Sequence, residues 1–361
     1  TEKLTLTAGL RFTDESKDVN GVFTQSAVGS AADFTAIGTN LVLAGLGLAA
    51  PNPALFAPMY RPGWGHSAVP IIAPRPDVAA TLEDDQITGT IKLSWFANDT
   101  SMLYASYGTG YKSGGTNTDR ILVTQSQLFD AETSESFELG IKTEFPNQNL
   151  RLNAALYLTT FDDFQTNSFA GGGFNLSNAG EMEAKGLEVE LYWAPTDDLV
   201  LNAGYAYNDA TFKTHERANC WIATPLQTGQ ADPGDSGGGF CGRSGDRVRA
   251  NPEHFFTIAA TKTFAVGNSM SAYLHADYNY RSNQFQDGNA DPIKLQDGYG
   301  LLNASLGVVL EESDINIKLW ARNLLDKDYL GSYFDAPLQD GKVNAYIREP
   351  HTFGLTVRKN F

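Results

Sequence analysis

The chain has 361 residues, of which only 19% are charged and 11% aromatic, and its formal charge is -16. That length allows one to three soluble domains, and the acidity argues against a nucleic-acid partner. No run of 18 or more apolar residues exists, so no transmembrane helix is predicted.

The start, "TEKLTLTAGLRF", enters an alternating pattern directly and shows no signal peptide. Period-two alternation then dominates. In 151–161, Leu152, Ala154, Leu156 and Leu158 fall on one face, and Asn153, Ala155, Tyr157 and Thr159 on the other. In 271–281, Ala272, Leu274, Ala276, Tyr278 and Tyr280 oppose Tyr273, His275, Asp277, Asn279 and Arg281. In 314–323, Ile315, Ile317, Leu319 and Ala321 oppose Asn316, Lys318, Trp320 and Arg322. About twelve such strands are predicted, near 2–12, 84–97, 100–112, 133–145, 148–163, 181–194, 198–212, 253–264, 268–282, 298–310, 313–323 and 350–361. Most are longer than the five or six residues usual in soluble sheets and long enough to cross a bilayer at a tilt.

Short connections at 97–100, 146–149, 195–198, 266–269 and 311–313 alternate with long ones near 13–83, 113–132, 164–180, 213–252, 283–297 and 324–349. This is the asymmetry of an outer-membrane barrel, with tight periplasmic turns and long outer loops. Trp95, Phe145, Trp193, Phe264 and Phe361 sit near the short turns or the C-terminus, as an interfacial aromatic girdle requires. One strand face carries Glu138, Lys142, Glu188, Glu190, His275, Asp277, Lys318, Arg322 and Arg358, and needs water; the other needs lipid. The last strand, "HTFGLTVRKNF", resembles the C-terminal signal read by the barrel assembly machinery; its Lys359 can snorkel.

The loops hold the remaining signals. "LVLAGLGLAA" at 41–50, stopped by Pro51, reads as a short apolar turn or helix, or as a segment packing into a cavity or onto a partner. Cys220 and Cys241 lie in one polar loop, and a disulfide between them is expected in an oxidising compartment. No Cys/His cluster has zinc spacing, so no metal or cofactor is assigned. Between the cysteines, "GDSGG" at 234–238 resembles the nucleophile loop of trypsin-like proteases. None of the five histidines, His66, His215, His254, His275 and His351, has the setting of such an enzyme's base, and the Gly/Asp/Ser surroundings read as a solvated loop. Asp232, Asp235 and "DGNAD" at 287–291 offer oxygens to a calcium ion, with too few spaced ligands for more. "NPEH" at 251–254 resembles heme-receptor motifs, but His254 starts a strand and is read as an interface residue.

Several motifs occur in order along the chain: "LYASYGTGYKSGGTN" (103–117), "AETSESFELGIKTEF" (131–145), "NAGEMEAKGLEVELYWAPTDDLVLNAGYAYNDATF" (178–212) and "LWARNLLDKDY" (319–329), with Leu325 where Phe is common. Over essentially its whole length the chain resembles the C-terminal half of TonB-dependent outer-membrane receptors. The resemblance implies an all-β transmembrane antiparallel barrel, with these twelve strands the last of 22 and the plug and TonB-binding segment lying outside residues 1–361. The chain would then be a fragment of the gene product or one chain of a split receptor; a complete twelve-stranded barrel is the alternative.

The implied function is energised uptake of a scarce nutrient, a ferric siderophore-type complex, in the outer membrane of a Gram-negative bacterium. The TonB–ExbB–ExbD complex would act through the N-terminal part, and the lipid bilayer with lipopolysaccharide would surround the wall. The expected ligand-binding residues are polar or cationic groups at outer strand ends and loops: Lys112, Asn117, Arg120, Gln165, Arg281, Arg322 and Arg348. Phe164, Phe169, Phe174, Phe285 and Tyr333 are placed either to stack on a ligand or to pack the loops together. The other readings are a passive porin, a receptor for cobalamin or an oligosaccharide, and an enzyme acting through Ser236.

Overall fold

The computed structural model describes residues 3–22, 77–118, 126–169, 174–221, 223, 231–235, 240–336 and 342–360. Strand-length alternation leaves each segment one apolar face and one wet face, and backbone groups in lipid must pair with neighbouring strands. Twelve long strands result: β1 (Leu4–Gly21), β2 (Val78–Asn98), β3 (Ser101–Lys112), β4 (Glu132–Phe145), β5 (Leu150–Asp162), β6 (Met182–Thr196), β7 (Leu199–Phe212), β8 (His254–Ala265), β9 (Met270–Arg281), β10 (Tyr299–Leu310), β11 (Ile315–Arg322) and β12 (Thr352–Lys359). They form a single antiparallel meander in chain order. β1 and β12 are its two ends, and no ladder joins them among the described residues.

The registers line the apolar positions into rows. Leu274 pairs with Leu306, Leu306 with Leu319 and Leu319 with Leu355, so four leucines stand side by side across four strands. They are 47–62% exposed, and Leu10 and Phe353 reach 82% and 79%. A continuous apolar face of this kind is satisfied by lipid and by nothing in water. Trp95, Phe145, Trp193 and Phe264 are exposed on the same face near the short turns; Phe361 lies outside the described residues.

The short turns use tight left-handed closures. Pro146–Gln148 forms a 3-10 turn ending on Asn149 at φ 47°, and Glu311–Ser313 one ending on Asp314 at φ 51°. Asn and Asp tolerate that conformation better than branched residues do.

The first two strands correct the sequence boundaries. The segment 13–83, expected to be loop throughout, continues the β1–β2 ladder out to Gly21 paired with Val78. At about 3.4 Å per residue, this hairpin outruns the hydrocarbon layer. Its outer part pairs "TDESKDVNG", almost wholly polar, with "VAATLEDDQ", whose Val78, Ala80 and Leu82 share one face, so backbone pairing continues where the alternation of β1 has stopped. The expected segment 41–50 lies outside the described residues. A small apolar core, Ala179, Met182, Ala210 and Phe212 with Phe161 and Phe164 against it, sits where β5, β6 and β7 meet their long loops.

Candidate functional site

The long connections fold into short ladders above the sheet. Residues 115–116 pair with 128–129, 165–169 with 174–178, 284–285 with 295–296, and 330–335 with 343–347. The last two build a cleft at the end of β9.

Arg281 closes β9 and pairs in register with Tyr299 at the start of β10. Tyr299 is buried and stacks on Tyr329, with ring centroids 4.6 Å apart and planes at 27°. The Arg348 N–H donates to the Tyr329 carbonyl at 3.2 Å. The Arg348 side chain lies directly on Gly331, where any Cβ would collide with it. Arg281, Arg348, Tyr299, Tyr329 and Gln284 thus line one cleft of about 520 Å³. The Arg281 guanidinium lies 5.3 Å from the Phe255 ring, and two arginines beside a stacked aromatic pair in one cleft suit a planar or branched anion.

The two loops of the cleft are locked together from behind. Lys294 is wholly buried, with its ammonium 2.7 Å from Asp287 Oδ2 and 2.8 Å from Asp335 Oδ1. Burial alone would push this lysine down, but Asp287 and Asp335 outweigh it and the net shift is up. Leu330 N–H donates to Gln296 Oε1 at 3.0 Å, tying the loops a second time. The "DGNAD" carboxylates considered for calcium therefore have a lysine in their midst: Asp287 pairs with Lys294, and Asp291 caps the turn by accepting from Ile293 N–H at 3.0 Å.

The structure brings two of the expected binding residues, Arg281 and Arg348, together. Arg322 is elsewhere, on the inner wall, with its guanidinium 5.3 Å from the Trp320 ring. Lys112 is exposed at the end of β3. Gln165 is buried, and its amide donates to the carbonyls of Ser113 at 2.9 Å and Asp130 at 3.0 Å. Asn117 is buried too; it donates to Ser126 and Leu176 carbonyls at 3.0 and 2.8 Å and accepts from Leu176 N–H at 2.8 Å. Both amides are engaged in tying loop to loop. Arg120 lies outside the described residues.

Of the aromatic residues, Phe164 packs on Phe161 and Phe212. Phe174 is 56% exposed, Phe285 and Tyr333 are half-buried, and the Phe169 side chain is outside the described residues. Tyr299, Tyr329 and Lys294 escaped the sequence reading. The register alone could have found Tyr299, since it stands opposite Arg281.

The Cys220–Cys241 disulfide is present. Beside it Asp232 forms a buried ion pair with Arg243 and accepts from Trp221 N–H at 2.9 Å, so a guanidinium occupies the place considered for calcium at this residue. His215 is buried against Phe212, and its pKa is lowered to about 4 by burial and then by Arg243. Ser236 lies outside the described residues. His254 faces outward, accepting or donating at 2.9 Å to the Tyr205 hydroxyl.

The TonB dependent receptor-like, beta-barrel family matches residues 1–324. The chain belongs to the TonB-dependent receptor family. The pesticin receptor of Yersinia enterocolitica is 34% identical over 110 residues, 30% of this chain and 16% of that receptor. The ferric yersiniabactin uptake receptor FyuA from Yersinia pestis superposes at a TM-score of 0.68 and 19% identity, covering 100% of this chain and 44% of that one. The siderophore receptor PiuA from Acinetobacter baumannii does so at 0.63 and 18%, covering 99% and 40%. The chain thus spans under half the length of these relatives. TonB-dependent receptors are outer-membrane proteins of Gram-negative bacteria and are transport receptors, so the protease reading of "GDSGG" is set aside.

Proposed function

We propose that the chain is the C-terminal wall and loop region of a receptor for TonB-energised uptake of an anionic metal chelate of the ferric siderophore class. The observation that carries this is that Arg281 and Arg348 line one cleft together with the stacked Tyr299 and Tyr329. On this reading the plug and the contact with TonB–ExbB–ExbD belong to parts of the receptor outside these 361 residues. That the chain covers 44% of FyuA supports it. Lys112 and Arg322 are additional cations on the ligand's approach, while Asn117 and Gln165 hold the loops that frame it.

The test is equilibrium binding of ferric citrate, a ferric catecholate and a ferric hydroxamate to the full-length receptor and to R281Q/R348Q. Each lost charge-assisted contact is worth roughly 1.5–3 kcal/mol, so the double variant should bind its ligand at least about 100-fold more weakly with unchanged heat-modifiable mobility. Binding of none of the three, or equal binding by the variant, would sink the proposal. Bilayer conductance that persists without TonB would favour a passive porin.

A further inference from the structure

The outer connections are tied to one another in order, from the β1–β2 hairpin to the β11–β12 loop. Lys17 on the hairpin donates to Ser113 Oγ at 2.5 Å and to the Gly114 carbonyl at 2.8 Å, both in the β3–β4 loop. That loop is held to the β5–β6 loop by the amides of Asn117 and Gln165. A reciprocal pair adds to them: Asp130 N–H donates to Asn178 Oδ1 at 2.8 Å, and Asn178 Nδ2 donates to the Asp130 carbonyl at 3.0 Å. The β5–β6 loop is joined in turn to the β7–β8 loop. Glu181 N–H donates to Thr214 Oγ1 at 2.7 Å, and Lys213 N–H donates to the Glu181 carbonyl at 2.8 Å. The β7–β8 loop reaches the β9–β10 loop through Ala250 N–H, which donates to the Phe285 carbonyl at 2.7 Å. Lys294 and Gln296 carry the series on to the β11–β12 loop.

The ties are costly to break singly. Asn117, Gln165 and Lys294 are buried. A loop that swings out alone leaves a buried partner on its neighbour unmet, which costs more than a hydrogen bond gains. Ala250 sits at φ 54°, a conformation that a residue with a Cβ keeps only where the surrounding structure over-determines it. The β3–β4, β5–β6, β7–β8 and β9–β10 loops are each tied on both sides, so none opens without disturbing two neighbours.

We infer that these outer connections open as one collar and not as separate flaps. A change at the β11–β12 loop is then felt at the β3–β4 loop, although three other loops lie between them in the order of the sheet. The collar itself does not rest on the receptor reading. Its consequence does: access to the cleft of Arg281 and Arg348 is set by the opening of the whole collar.

The test is hydrogen exchange of the full-length receptor in lipid, without ligand, with the series cut from either end. Lys294→Met should speed exchange about 10-fold in the distant segments 126–131 and 174–178, and Gln165→Ala about 10-fold in 284–296 and 330–335, with β5 and β10 unchanged. Thr214→Val keeps the side-chain volume and removes one hydroxyl from the middle. It should speed exchange about 3-fold on both sides, in 126–131 and in 284–296. It decides the matter if either buried-group variant fails to assemble. Exchange that rises only in the loops touching the substituted residue, in any of the three variants, overturns the collar. No ligand enters the measurement, so a failed collar is distinguishable from a failed receptor reading, which the binding titration above tests.

Discussion

Lys294 meets Asp335 at 2.8 Å across two different loops, with the lysine side chain shut off from solvent. An ion pair this deep specifies how the loops sit on each other more than it stabilises them, because desolvation offsets most of its attraction. Removing one partner is another matter. Lys294→Met leaves Asp287 and Asp335 facing each other without a cation, at a cost of about 3 kcal/mol. Hydrogen exchange should rise in 284–296 and 330–335 and stay unchanged in β9 and β10. Uniform protection in the variant would show that the loops are held by something else.

Gly331 permits the Arg348 position, since a Cβ there collides with the guanidinium. Gly331→Val should swing Arg348 out of the cleft and weaken binding of an anionic chelate on the order of 10-fold, the loss of one charge-assisted contact. Equal affinity in a titration of wild type and variant would remove Arg348 from the site.

His215 makes the disulfide loop acid-sensitive. Its folded pKa of about 4 lies below the ordinary 6.5, so the folded loop favours the neutral ring. Stability present above pH 6.5 is therefore lost as pH falls from 6.5 toward 4, on the order of 3 kcal/mol in all. Arg243 and Glu216 are the charged groups around it, and Arg243 adds to the depression. Protection of 215–221 and 240–246 should fall across that window in wild type and not in His215→Leu.

Reduction of Cys220–Cys241 reopens a loop closed over a separation of 21 residues, worth about 3 kcal/mol. Limited proteolysis should then cut within 213–252 while the wall stays resistant. Equal cleavage of both forms would mean that the Asp232–Arg243 pair suffices to hold the loop.

The two wall faces should respond oppositely to charge. Leu319→Arg puts a guanidinium into lipid beside Leu306 and Leu355, at about 2–4 kcal/mol near the midplane. Asn316→Arg, three residues away on the wet face, should cost far less. Urea unfolding from lipid vesicles compares them.

By itself the sequence determined the wall. Alternation has one solution in a bilayer, so residues such as Leu274 and His275 announce their faces without help from any distant partner. It failed where one strand lost its alternation: in "TDESKDVNG" the pairing with β2 persists after the hydrophobic signal of β1 has ended. The cleft was legible only in part. Arg281 and Arg348 stand out as cations at strand ends and in loops, but their convergence does not, because loop closure over long separations leaves no periodic trace. Asn117 and Gln165 stand out as loop amides, but only the structure supplies the carbonyls they serve. Lys294 looks like an exposed loop lysine until Asp287 and Asp335 enclose it. Tertiary structure alone decided these points, since the partner of a buried polar group is set by which loops pack together, and that packing is non-local.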